Sequence, residues 1–249
     1  MSAGDYRTAL VTGASSGIGL EIATRLAGLG LTVHALARDR ARLDRLSAEC
    51  GARVHAVDVR SGTAVEAMLG GLEIDILVNA AGVNRPGGLS EMGEEGVDAI
   101  IDTNLKGTIN LCRLVAPGMA ARDRGHIINL GSISGLHAFE GNAVYHASKA
   151  GLHGFTAQLR HELFGTRVRV TEIAPGRVAT EIFTRTFGPE RGRSFLEGYE
   201  ALTPADIADA VLFAIAAPAR VSVTLIEVWP TFQAIDGLRF ARREPGGRG

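Results

Sequence analysis

Short apolar runs alternate along this chain with longer stretches whose apolar positions recur every three or four residues. The short runs, at 8–11, 31–36, 54–57, 74–78, 127–130, 168–173 and 222–228, read as buried strands. The longer stretches predict helices at 17–29, 39–49, 97–121 and 144–163, with Pro117 near the final turn of the third. Thr203-Pro204-Ala205-Asp206 is a further helix start: a capping Thr, a Pro at the first helical position and an acid in the first turn. Strict strand–helix alternation, with strands apolar on both faces, predicts a parallel, doubly wound α/β sheet with helices on both faces. The stretch 180–202 is rich in glycine and charge and has no clear period, and a loop of that length in a compact domain is usually functional. It is expected to be a substrate lid within a single domain, 1–240, followed by a flexible Arg/Gly tail, 241–249.

Composition narrows the classes of function. Apolar residues make up 46% of 249 positions, enough for a sizeable core. A net charge of −1 gives no electrostatic case for nucleic acid or an acidic membrane as partner. No run approaches the roughly eighteen apolar residues of a membrane span, and the first residues have no apolar segment of the signal-peptide kind. Cys50 and Cys112 have no metal or redox spacing, so buried free thiols in a cytoplasmic protein are expected.

The chemistry-bearing residues begin with Tyr145 and Lys149. Only two of the chain's 26 basic residues are lysines, and it has three tyrosines. On a helix, residues i and i+4 share a face. A phenol is a poor base at neutral pH, and an ammonium beside it favours the phenolate, which could exchange a proton with an alcohol or a carbonyl. The same spacing also fits two surface residues on one turn. Upstream, Gly13-Ala14-Ser15-Ser16-Gly17-Ile18-Gly19 lies between the first strand and the first helix, where glycines let the backbone approach a pyrophosphate at a helix N-terminus. The second strand ends in Ala37-Arg38-Asp39. The small Ala37, the phosphate-binding fork of Arg38 and Arg42 one turn on favour NADP over NAD, and Asp39, which could pair with Arg38 or face the ribose, is the counterargument. Gly131-Ser132-Ile133-Ser134-Gly135 lacks the spacing of a hydrolase nucleophile elbow. His146, His153 and His161 recur on one predicted helix at spacings too wide for a common metal, so no metal site is expected.

Taken together these residues resemble the short-chain dehydrogenase/reductase family over roughly residues 6 to 235. The glycine loop, Asp58-Val59, Asn79-Ala80-Ala81-Gly82, Asn104 with Gly107, Ser132, Tyr145 with Lys149, and Pro175-Gly176 follow the family's order and spacing; Ala80 stands where the family usually has a second Asn. The second half is similar to the branch of NADP-dependent 3-hydroxy acid and serine dehydrogenases, notably at 101–104, 125–129, 141–145, 168–176 and 202–207. The resemblance implies a Rossmann-type sheet of about seven parallel strands. It implies Tyr145 as general acid/base, Lys149 lowering its pKa and holding the nicotinamide ribose, Ser132 bonding the substrate oxygen, and Asn104 holding a water that links Lys149 to solvent. NADP would lie against the glycine loop (Gly13, Ser15, Ser16, Gly17, Ile18, Gly19), Arg38, Arg42, Asp58, Val59, Asn79, Ala80 and Gly82. Beyond these it would meet Pro175, Gly176, Val178 and Thr180. A homotetramer or homodimer paired through the helices at 97–121 and 144–163 is implied as well. The implied reaction is hydride transfer between NADP(H) and a small hydroxy or carbonyl compound, a 3-hydroxy acid or a short aldehyde with an acidic group. A keto or aldehyde reductase acting on a larger biosynthetic substrate, and a non-catalytic NADP-binding regulator, are the alternatives. His137, Phe139 and Glu140 fall where the family builds its pocket wall. Arg177, where the branch has an apolar residue, suits either an anionic substrate group or solvent, as do Arg185, Arg191 and Arg193 in the lid.

Overall fold

The computed structural model describes residues 6–85, 88–194, 200–234 and 239–241, without the side chains of 183, 185, 187, 191, 193 and 194. The expectations for Arg185, Arg191, Arg193 and the tail beyond 241 therefore lie outside the described residues. Seven parallel strands form one sheet in the order β3-β2-β1-β4-β5-β6-β7. They are β1 (Thr8–Thr12), β2 (Thr32–Ala37), β3 (Arg53–Ala56), β4 (Ile76–Asn79), β5 (Gly125–Leu130), β6 (Val168–Pro175) and β7 (Leu225–Val228). The central strands are apolar on both faces because both faces are covered. Ala9 and Val11 pack into one layer with Ile22, Leu26, Leu43, Ile207 and Val211. Leu10 and Leu77 pack into the other with Val65, Leu111, Met119 and Leu159.

The helices on the first face are α1 (Gly17–Gly28) and α2 (Arg40–Cys50), joined later by α9 (Pro204–Ala216). On the second lie α3 (Gly62–Leu69), α4 (Glu94–Ile101), α5 (Gly107–Ala121) and α6 (Ala143–Glu162). The expected start of α9 forms as a reciprocal cap: Asp206 N donates to Thr203 Oγ1 at 3.4 Å, and Thr203 N to Asp206 Oδ2 at 2.7 Å, with Pro204 at the first position. The C-terminal carbonyls of α9 receive an unusual partner. The buried guanidinium of Arg169 donates to the oxygens of Ala214, Ile215 and Ala217 at 3.0–3.1 Å and to Tyr6 Oη at 3.2 Å. No helix among the described residues is long and apolar enough to cross a membrane.

Three elements depart from the sequence reading. Helix α3 was not expected; only Val65 and Leu69 on it are buried, too little for a visible period. The helix expected at 97–121 is interrupted at Asp102–Lys106 by a π-helical turn between α4 and α5. The stretch after Thr180 begins with two short helices, α7 (Glu181–Phe187) and α8 (Pro189–Ser194).

Candidate active site

The order of strand addition reverses between β1 and β4, and beyond their C-terminal ends opens a cleft of about 620 Å³. This is the position at which doubly wound sheets bind ligands. One end is formed by the loop Gly13 to Gly19. Gly13 has φ +67°, and a side chain there would meet Ala80 O at 2.8 Å, so only glycine fits between β1 and the strand beside it. Thr12 fixes the same junction: its Oγ1 accepts the backbone N–H groups of Ala80 and Ala81, each at 3.0 Å. Ser16 caps α1 without a side-chain bond. The first N–H groups of that helix thus carry its positive end into the cleft.

The adenosine end is cationic. Arg38, exposed at the end of β2, and Arg42 on α2 both line the cleft, with Asp58 and Val59 beside them. Asp39 is turned to another task. It caps α2 by accepting the Arg42 N–H at 3.0 Å, and lies 3.3 Å from the Arg42 guanidinium. Asp58 accepts the Arg60 guanidinium at 2.7 and 3.0 Å, and those bonds hold its carboxyl below the ordinary value. Arg42 also reaches across the cleft to Glu181 at 2.6 Å, tying α2 to the first turn of α7.

At the other end Ser132, Tyr145 and Lys149 share one wall with Ala80, Gly82, Pro175, Gly176, Val178 and Thr180. Ser132 precedes a single 3₁₀ turn at the end of β5, and Tyr145 and Lys149 lie in the first two turns of α6. Lys149 is 5% exposed; its Nζ donates to Leu130 O at 2.8 Å and lies 5.8 Å from the centre of the Tyr145 ring. Burial pulls the ammonium down to about 8, against an opposing pull from Glu172. The Tyr145 phenol is raised by burial, which a bond to Ser132 opposes. The lowering expected from the neighbouring ammonium is thus not seen here, where loss of solvent sets the direction.

Two of the expected residues stand behind the wall. Asn79 is buried and donates to Asn129 Oδ1 at 2.8 Å, and Asn129 donates in turn to Thr156 on α6 at 2.9 Å. Asn104, centred in the π turn, accepts from Val83 N at 2.8 Å and donates to Val83 O at 2.9 Å and Ser148 Oγ at 3.2 Å. A Cβ at Gly82 would meet Asn104 Oδ1 at 3.6 Å and Lys149 Nζ at 4.0 Å, so the two side chains flank one backbone position.

His137, Phe139 and Arg177 are not brought to the wall. His137 bonds Glu227 at 3.0 Å and stacks on Phe139, whose ring meets His146 edge-on. Arg177 lies between two lining residues, but its guanidinium rests 4.5 Å from the centre of the Phe240 ring. Conversely, Glu181, Ile182 and Thr186 of α7 line the cleft, and nothing periodic in the sequence marked them. Glu172 was overlooked too, although an acid in the middle of an apolar strand is a readable signal.

Three comparisons bear on this geometry. The family model described as short chain dehydrogenase matches residues 7–190. The NADP-dependent 3-hydroxy acid dehydrogenase of Salmonella typhi is 41% identical over 246 residues, covering 94% of this chain and 98% of that protein. An uncharacterized short-chain type dehydrogenase/reductase of Sinorhizobium fredii is 40% identical over 239 residues, covering 95% of this chain and 96% of that one. Among solved structures, the closed form of serine dehydrogenase complexed with NADP+ superposes with a TM-score of 0.89 at 38% identity, covering 95% of this chain and all of that one.

Proposed function

Because this chain belongs to the short-chain dehydrogenase family, we propose that it is an NADP-dependent oxidoreductase acting on a small 3-hydroxy acid, or on a short aldehyde that carries an acidic group. One observation carries the reading: a single cleft has Tyr145, Lys149 and Ser132 at one end and exposed Arg38 beside the small Ala37 at the other. The residues fit the cofactor. The glycine loop leaves backbone and helix N–H groups open to a pyrophosphate, and Arg38 and Arg42 stand where a 2′-phosphate would lie.

NADP(H) supplies or accepts the hydride when bound. The chain positions and protonates. Tyr145 gives its phenol proton to the substrate oxygen in reduction and takes one back in oxidation. The Ser132 hydroxyl donates to the same oxygen and stabilises the charge that grows on it. Lys149 favours the phenolate and would hold the nicotinamide ribose. Asn104 and Asn79 act from behind, Asn104 by fixing residue 83 and a water path to Lys149, Asn79 by tying β4 to β5. Asp58 and Val59 would flank the adenine, and Val178 and Thr180 the nicotinamide amide, since all four line the cleft. Arg177, between the lining residues Gly176 and Val178, would meet the substrate's anionic group by leaving the Phe240 ring, with His137 and Phe139 at the mouth outside the present lining. Helices α5 and α6 pair subunits in a homodimer or homotetramer, which light scattering at micromolar concentration checks.

The test is the near-ultraviolet absorbance of NADPH with matched pairs of acidic and neutral aldehydes, and of NADP+ with 3-hydroxy acids. Turnover favouring the acidic members and NADP(H) over NAD(H) is expected. Tight NADPH binding with no turnover on any of them would replace the enzyme by a nucleotide-binding regulator.

A further inference from the structure

Glu172 is a carboxylate inside a parallel sheet, 1% exposed, in the middle of β6. Its Oε2 accepts His153 Nδ1 at 2.8 Å, and its Oε1 has no hydrogen-bond partner. A carboxylate with an empty lone-pair side costs several kcal/mol to bury unless a positive charge answers it. The side chain lies against the Cα of Gly131, where any side chain would collide with it. The residue before Gly131 is Leu130, whose carbonyl holds the Lys149 ammonium at 2.8 Å. Two consecutive residues, Leu130 at the end of β5 and Gly131 just after it, thus lie against the two opposite charges.

We infer that Glu172, oriented by His153, is a positioning residue for Lys149, supplying the fixed negative charge that keeps the ammonium protonated behind the cleft wall. The inference rests on the reading that Tyr145 and Lys149 carry the proton chemistry. The sequence spacing agrees: His153 follows Lys149 by one helical turn on α6, so one helix offers the lysine and the imidazole to the same carboxylate. The remaining neighbours are accounted for element by element. Helix α6 contributes Tyr145, Lys149 and His153. Strand β5 sets Asn129 beside Glu172 and passes into Gly131, and neither carries a charge. Strand β7 contributes Glu227, which acts on His153 through space and is itself bonded by His137 at 3.0 Å. The direction of the Glu172 effect on Lys149 is upward, against the downward pull of burial. The half-exposed imidazole gives this charge a handle at the surface.

The experiment is the pH profile of carbonyl reduction for Glu172→Gln, whose shape matches the native side chain. Removing the anion lowers the affinity of Lys149 and Tyr145 for protons, so the alkaline limb of the profile moves to lower pH. The expected move is about one unit, the low end for an opposite charge a few ångströms away. Well below that limb, activity should stay within about twofold of wild type, because both groups are protonated there in either protein. His153→Leu, at the partly exposed end, should move the limb in the same direction by less, and Glu172→Asp should restore part of it. A uniformly lower profile with an unmoved limb in Glu172→Gln and His153→Leu would make Glu172 a packing residue and overturn the inference. The underlying reading fails separately: it falls if Lys149→Ala and Tyr145→Phe keep wild-type turnover.

Discussion

The wall of the cleft built from β1, β4, β5 and α6 differs from the wall built from α7, and from the Arg177–Phe240 contact outside the lining, in how its side chains are held. On the inner wall polar groups are buried and bound on several sides: Asn104 makes three bonds, Asn79 continues through Asn129 to Thr156, and Lys149 is fixed on Leu130. Outside it the ties are partly exposed: Arg42 to Glu181, and the Arg177 guanidinium on the Phe240 ring. Bonds of the first kind leave an unsatisfied buried group when broken and are costly to lose. Exposed pairs contribute little. The inner wall thus fixes reaction chemistry, while the outer wall can vary with substrate at small cost in stability.

Four measurements would break or sharpen this contrast. The largest effect is expected inside. Tyr145→Phe should bind NADPH normally and lose turnover by about 10² to 10⁴, the range for a general acid/base; retention of more than about a tenth of wild-type rate would remove Tyr145 from the reaction. Next is the cofactor end. Ala37→Asp with Arg38→Leu removes a charged fork and adds a repelling acid, and should move the NADP-to-NAD ratio of kcat/KM by roughly ten- to a hundredfold. If the wild-type enzyme already prefers NAD in competition, Arg38 does not read the phosphate. Outside the lining, Arg177→Met should cost about tenfold in kcat/KM with acidic substrates and little with neutral ones of the same size. Because Arg177 rests on Phe240, equal loss on both kinds would assign it to holding that segment instead. The smallest effect belongs to Glu181→Gln. Freed from this pair, Arg42 should bind the 2′-phosphate more tightly by up to about fivefold, the scale of an exposed ion pair. Unchanged NADPH affinity by fluorescence titration would show that Glu181 does not compete for it.

What the sequence disclosed follows the same division. The glycine loop, the β2 end, Ser132, Tyr145 and Lys149 could be placed on one cleft because each depends on local spacing or on the order of strands. The π turn at Asp102–Lys106 could not, since it adds no residue type foreign to a helix and arises from the clasp of Asn104 on Val83, distant in sequence. The lining by Glu181, Ile182 and Thr186 was hidden for a different reason. Helix α7 is too short for apolar periodicity to show. His137 and Phe139 were placed near the mouth by their position in the chain, but ring contacts among themselves, His146 and Trp229 decide where they point.

The Arg169 clasp on α9 bears on how the chain can be made. Arg169 donates to Tyr6, 163 residues before it, and to the carbonyls of Ala214, Ile215 and Ala217, which follow it by 45 to 48 residues. Until those carbonyls arrive, β6 can enter the sheet only by burying a guanidinium with most of its acceptors missing, at a penalty of several kcal/mol. During vectorial synthesis this clasp therefore stays open until α9 has followed β6 out of the ribosome. A variant shortened before α9 should accumulate as a chaperone client, with the Arg169 guanidinium of β6 short of its carbonyl acceptors.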